Sequence, residues 1–304
     1  MQGDNTMNSW KLKNPHKEIE KITNFIQEYA CNDEKIVVAV SGGLDSDVVA
    51  RLCTRSVGKE RMKFFIVIQS EMEKKFLENA RSLAKELDVS LAEIHLEKMN
   101  EELMEALENG EKEKIFNTKM MLELAKAKCS VRSSVISSYQ DKGFLIAGTT
   151  NRTEKELGFL LTFGDNLAHF KPVAHLYKTE IRKLAFALGT AQNVIEQEPS
   201  AGFWEGQTDK EDLGYWIIND GPIVFPREFS EKEISCAENI ALLLEPEKVD
   251  TVLRMYREGR AVADILNETK FSENIVIGLI HIIEKSKLLK NRKIMVEIPV
   301  SEEN

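Results

Sequence analysis

Two kinds of apolar pattern alternate along the chain. Short, unbroken runs rich in β-branched and aromatic residues occur at 36–40, 64–68 and 144–148. Runs of this length without a polar break predict strands buried on both faces, as in a parallel sheet. Residues 90–95 predict a weaker strand. Elsewhere the apolar positions recur at helical spacing. Ile19, Ile22, Phe25 and Ile26 predict an amphipathic helix over 16–30. Val48, Val49 and Leu52 predict one from 45 to about 55, and Phe76, Ala80, Leu83 and Ala84 predict one over 74–87. Residues 100–139 read as mostly helical, and helices are expected at about 152–163 and 178–188. No strand is expected after Gly189. The stretch 199–220 is rich in Gly, Asp and Trp and reads as a long ordered loop, and 230–288 reads as helical.

This alternation predicts an α/β fold: an open, mostly parallel Rossmann-like sheet, helices on both faces, and a helical C-terminal region. A single domain over 1–304 is expected, with 221–304 a mainly helical extension packed on the sheet. Composition supports this picture: 42% hydrophobic and 30% charged residues are ordinary for a globular chain. The balance of 41 basic against 50 acidic residues, net −9, opposes polyanion binding. The basic run from Lys287 to Lys293 reads as a solvated helix end, so no nucleic-acid partner is expected. Cys31, Cys53, Cys129 and Cys236 lack CxxC spacing and read as reduced, structural residues. No leader and no membrane span is recognisable, so a cytoplasmic location is expected.

The candidate chemistry begins at Ser41-Gly42-Gly43-Leu44-Asp45-Ser46, between a buried strand and a helix. Open α/β sheets bind ligands there, outside the carboxyl end of a strand. Glycines let the backbone approach a phosphate, and a helix start offers N–H groups and a positive dipole end. Ser41 and Ser46 add hydroxyls. Asp45 would repel a bare phosphate, which implies Mg²⁺ between the two. The loop is neither GxxxxGK[ST] nor GxGxxG. Taken alone, its glycines need do no more than make a turn.

The loop resembles the SGGxDS signature of the PP-loop ATP pyrophosphatases, whose sheet is of the adenine nucleotide alpha hydrolase-like type. Three further segments are similar to the NAD synthetase family within that group. They are Gly148-Thr-Thr-Asn-Arg-Thr-Glu154 with 158–165, then 172–182, and the loop 199–214 with its Gly-Gln-Thr-Asp core. The resemblance implies a homodimeric ligase that uses ATP, Mg²⁺ and ammonia to amidate deamido-NAD. The substrate carboxylate would be adenylated first, and ammonia would then displace AMP.

Carried over by position, the loop 41–46 would hold the phosphates. Asp45 and Glu154 would bind Mg²⁺, and Lys178 and Ser200 would contact the phosphates. Asp45, Glu154 and Lys178 form the expected catalytic set. Thr149 would lie near the adenosine, and the backbone from Val67 to Gln69 would cradle the adenine. Arg132, Phe163, Asp165 and His169 would face the acceptor. The acceptor side departs from the family pattern. Ser130 and Ser134 stand where the family has Lys and Arg, Thr162 where it has Lys, and His169 where it has Asp. The connection from Gly214 to Glu247 is also longer. Two readings follow, a divergent NAD synthetase or a paralogue that adenylates a different carboxylic acid. A non-catalytic nucleotide-binding protein is a third. With no glutaminase recognisable, the nitrogen donor is expected to be free ammonia or a partner protein.

Overall fold

The computed structural model describes residues 12–290 except 162, 163, 165, 225 and 226. Four strands form one all-parallel sheet among the described residues: β1 (Ile36–Ala39), β2 (Met62–Ile68), β3 (Leu91–His95) and β4 (Leu145–Ala147). Their order is β3-β2-β1-β4, with Val38 paired to both Phe64 and Ala147. The chain therefore moves outward from β1 to β3 and then crosses back to place β4 on the other side of β1. This reversal opens a crevice at the carboxyl end of β1.

The first half supplies helices α1 (Pro15–Tyr29), α2 (Leu44–Val57), α3 (Lys74–Leu87), α4 (Met99–Gly110) and α5 (Met121–Gln140). After β4 come α6 (Arg152–Leu157), α7 (Lys178–Leu188), α8 (Gln192–Glu196) and α9 (Asp209–Ile218). The C-terminal helices are α10 (Glu231–Leu243), α11 (Pro246–Arg257), α12 (Val262–Thr269) and α13 (Glu273–Lys290).

Strand alternation splits the core in two. Ile36, Val38, Phe64 and Ile66 pack with α1, α2, α3 and α7 on one face. Val37, Phe65, Val67 and Ile146 pack with Ile136 and Tyr139 of α5 on the other. A third cluster joins the C-terminal helices through Val252, Leu253, Ile265, Ile275 and Leu279. It also includes Leu157 of α6 and Tyr177 beside α7.

Two sequence expectations need correction. The helix expected over 152–163 stops at Leu157, because Gly158 takes a left-handed conformation (φ +77°) and ends it. The loop expected over 199–220 contains α9. Thr208 caps that helix by accepting from the Glu211 N–H at 3.2 Å, and Asp209, Glu211 and Asp212 fill its first turn. The helical signal was local and was outweighed by the Gly-rich composition around it. The four cysteines are free, and no helix among the described residues is long and apolar enough to cross a membrane.

Candidate active site

At the end of β1 the backbone turns through Ser41 and Gly42 into α2. Gly42 has φ +77°, and a Cβ there would sit 2.0 Å from the Phe76 carbonyl oxygen. Only glycine satisfies both constraints. The serines organise the turn: Ser46 Oγ donates to the Gly43 carbonyl at 3.0 Å and accepts from the Ser41 N–H at 3.1 Å. Asn79 Nδ2 donates to the Gly42 carbonyl at 3.1 Å, which fixes the loop against α3. The N-cap of α2 is Gly43, with no capping side chain, so the amides of its first turn lie open for an anion.

A cavity of about 590 Å³ opens over this turn. It is lined by Ser41, Gly43, Leu44, Asp45 and Ser46 on one side and by Val67, Arg132 and Thr149 on another. Glu154, Lys178, Ser200 and Asp209 also face it. Segments far apart in the chain thus converge on one space. Its far wall includes Trp216, Pro222, Ile223 and Val224, contributed by α9 and the long connection after it. Lys126 Nζ of α5 donates to the Val224 carbonyl at 3.1 Å, which ties that connection to the cavity rim.

Asp45, Glu154 and Lys178 form the polar centre. Lys178 Nζ is hydrogen-bonded to Asp45 and lies 3.8 Å from Glu154 Oε1. Asn151, fully buried, donates through Nδ2 to Asp45 Oδ1 at 3.0 Å and to Glu154 Oε1 at 2.8 Å. Asn151 also caps α6, accepting from the Glu154 N–H at 2.9 Å, and its own N–H donates to Glu154 Oε2 at 3.3 Å. The capping box therefore aims Glu154 at Asp45.

Burial, and then the neighbouring Asp45 charge, push Glu154 well above the ordinary carboxylate range, while Lys178 pulls the other way. Burial raises Asp209 as well, again against Lys178. Burial alone would lower Lys178, but Asp45, Glu154 and Asp209 together raise it. Burial and the sharing of one ammonium among three carboxyl groups thus make two of them resist ionisation. A divalent cation held by Asp45 and Glu154 would favour the ionised forms. Among the described residues no group of three or more His, Cys, Asp or Glu side chains is arranged to hold a metal ion.

The remaining expected site residues fall in different places. Gln69 does not line the cavity. It is buried, accepts from Arg132 Nε at 2.8 Å and donates to the Lys128 carbonyl at 3.2 Å. Arg132, so held, lies over the Phe203 ring at 4.7 Å. Ser200 Oγ accepts from the Gly202 N–H at 3.0 Å. His169 is exposed and apart from the cavity lining, and its Nδ1 accepts from the Ile146 N–H at 2.9 Å. Phe163 and Asp165 lie outside the described residues. Asn151 and Asp209 had no role assigned from sequence. The N-x-x-E spacing at Asn151 and the acid after Thr208 were the available signals.

A family model described as NAD synthase matches residues 18–242. The chain belongs to this family. An NH(3)-dependent NAD(+) synthetase from Methanocaldococcus jannaschii is 28% identical over 278 residues, covering 88% of this chain and 92% of that one. The enzyme of the same name from Pyrococcus horikoshii is 34% identical over 203 residues, covering 65% and 73%. Among solved structures, the NH3-dependent NAD synthetase from Campylobacter jejuni superposes with a TM-score of 0.65 at 24% identity, covering 94% of this chain and all of that one. NMN synthetase from Francisella tularensis superposes with a TM-score of 0.70 at 19% identity, covering 93% and 98%. At these identities the two superpositions speak for the NAD synthase family's fold alone.

Proposed function

We propose that this NAD synthase family member converts deamido-NAD to NAD, using ATP and ammonia and releasing AMP and pyrophosphate. The observation that carries the reading is Lys178 held between Asp45 and Glu154 at the open N-terminus of α2. It is supported by relatives that bear the name of this activity.

A carboxylate resists amidation because its oxygen is a poor leaving group. In the proposed reaction that oxygen attacks the α-phosphorus of ATP, and the α–β bridging bond breaks to release pyrophosphate. Ammonia then adds to the acyl carbon, AMP departs with the carboxyl oxygen, and the surplus ammonium proton is lost to solvent. The loop 41–46 and the α2 amides hold the phosphates, and Lys178 balances charge as pyrophosphate leaves. Asp45 and Glu154 would hold Mg²⁺, which supplies further positive charge to the phosphates. Val67 and Thr149 flank the adenosine, and Ser200 closes over the phosphates from the 199–208 loop. Arg132, which lines the cavity, is assigned to the acceptor side, and Phe163 and Asp165 are assigned there by motif position alone; His169 lies apart from the cavity lining and is left out of the set. The active form is proposed as a cytoplasmic homodimer taking free ammonia.

A second reading, amidation of a different carboxylic acid, is favoured by the apolar wall of Trp216, Pro222, Ile223 and Val224 from the long connection. One assay separates the two. The protein is incubated with ATP, Mg²⁺, ammonia and deamido-NAD while NAD, AMP and pyrophosphate are followed. Stoichiometric formation of all three is expected. Pyrophosphate release with another carboxylate and none with deamido-NAD overturns the first reading, and ATP binding without turnover on any acid overturns both.

A further inference from the structure

Thr153 precedes Glu154 at the start of α6, and Thr179 follows Lys178 at the start of α7. Both are bonded to one carboxylate, Asp250 of α11, which is 2% exposed. The Thr153 hydroxyl donates to Asp250 Oδ1 at 2.6 Å, and the Thr179 N–H donates to Oδ2 at 3.0 Å. Thr153 Oγ1 in turn accepts from the Lys178 N–H at 2.9 Å. One buried side chain therefore joins the immediate neighbours of Glu154 and Lys178. It comes from a helix beyond the 18–242 segment that matches the family.

We propose that Asp250 is a positioning residue that sets the spacing of the Glu154 carboxylate and the Lys178 ammonium. This rests on the assignment of those two groups to ATP chemistry. The start of α7 leaves N–H groups without helical partners, and the Asp250 carboxyl accepts from one of them and from the Thr153 hydroxyl at the start of α6. By taking one bond from each helix start, Asp250 locks the two together. Two ion pairs also leave α11: Arg254 Nη2 to Glu180 Oε1 at 3.0 Å and Arg257 Nη1 to Glu156 Oε1 at 3.6 Å. Each pair joins α11 to one of the two helices, whereas Asp250 bonds the immediate neighbours of both Glu154 and Lys178.

The test compares Asp250→Asn with Val252→Ala in the full chain. Val252 is fully buried two residues away on the same helix and packs within the C-terminal cluster. D250N is expected to lower kcat about 10-fold or more under conditions where it is fully folded, because small misplacements of reacting groups are costly. Its Mg²⁺ requirement for half-maximal rate should rise about 3-fold, whereas V252A, with an equal or larger drop in Tm, keeps both values within about 2-fold. Amide exchange at 178–180 should quicken about 10-fold in D250N and stay unchanged in V252A. If D250N fails to fold, Thr153→Val, which removes only the bridging hydroxyl, carries the same expectation with a smaller effect. Activity and exchange in D250N that merely track V252A overturn the proposal. An inactive wild type defeats the amidation reading instead. Exchange then still decides the brace, since quickened amides support it and unchanged amides overturn it.

Discussion

Lys128 Nζ, on a side chain that is almost wholly buried, donates to the Phe203 carbonyl at 2.5 Å and to the Ser70 carbonyl at 2.9 Å. This cation joins the chain just beyond β2 to the loop that brings Ser200 to the cavity. Arg132 grips the ring of the same phenylalanine. Lys128→Met keeps the side-chain length and removes both bonds, together with the 3.3 Å pair to Glu71. The expected result is a KM for ATP raised about 10-fold with kcat altered less than about 3-fold, in line with the loss of charge-assisted hydrogen bonds. Initial rates over an ATP titration read both constants. An unchanged KM would show that the loop keeps its place without the cation.

Asp45 contacts both Lys178 and Asn151, whereas the other acid in the first turn of α2, Asp47, is taken up by Arg51 and Thr190. Asp45→Ala should lower Mg²⁺-dependent turnover by at least about 100-fold, the scale seen when one preorganised charge partner of a transition state is lost. Pyrophosphate release at saturating Mg²⁺ is the measurement. A rate near wild type removes Asp45 from the metal and phosphate assignment.

Gly42→Ala places a methyl group where the Phe76 carbonyl already stands, in a left-handed conformation. The left-handed conformation alone should cost about 1–3 kcal/mol. The 2.0 Å overlap with backbone also forces the loop or α3 to shift, which displaces the proposed phosphate loop. Thermal unfolding and calorimetric ATP binding read the two effects. A variant unaffected in both would contradict the close approach of α3 to the loop.

Asp212 carries a pH signature. Burial first, and then repulsion from Asp209, raise its pKa to about 7, although Gln207 Nε2 donates to it at 3.1 Å. Between the unfolded value near 4 and the folded value near 7, the folded chain binds more protons than the unfolded one. Stability from this group is therefore full below pH 4 and declines as pH rises to about 7, after which it levels off. Asp212→Asn should flatten that decline and raise Tm at pH 8, by about 2–4 °C for each kcal/mol recovered. Melting curves from pH 5 to 8 give the slope, and parallel curves for the two proteins count against the shift.

The strands and the loop after β1 were legible in the sequence because each is a local signal. The run 36–40 has no polar break, and Gly42 answers a backbone requirement that no other residue meets. Ser41 and Ser46 were legible as polar groups at the loop, but their shared hydrogen bonds within the turn were not. Asn151 and Asp209 stayed hidden for a related reason. Asn151 matters because it bonds Asp45, 106 residues away along the chain, and Asp209 because its charge acts on Lys178 and Asp45. Neither capping pattern announces that its helix start faces a cavity. His169 illustrates the opposite case. Alignment by motif placed it beside the acceptor, and only the folded backbone shows its ring turned to the Ile146 N–H.

Leu157 and Tyr177 stand at the edge of the sheet region yet are buried in the C-terminal cluster. Neither part of the chain can be lifted away without exposing a face that belongs to the other. Removing 246–290 would uncover Leu157 and Tyr177 beside the two residues that hold the charge centre. The molecule should therefore melt in one step, with the C-terminal helices acting as a shared wall of the catalytic half.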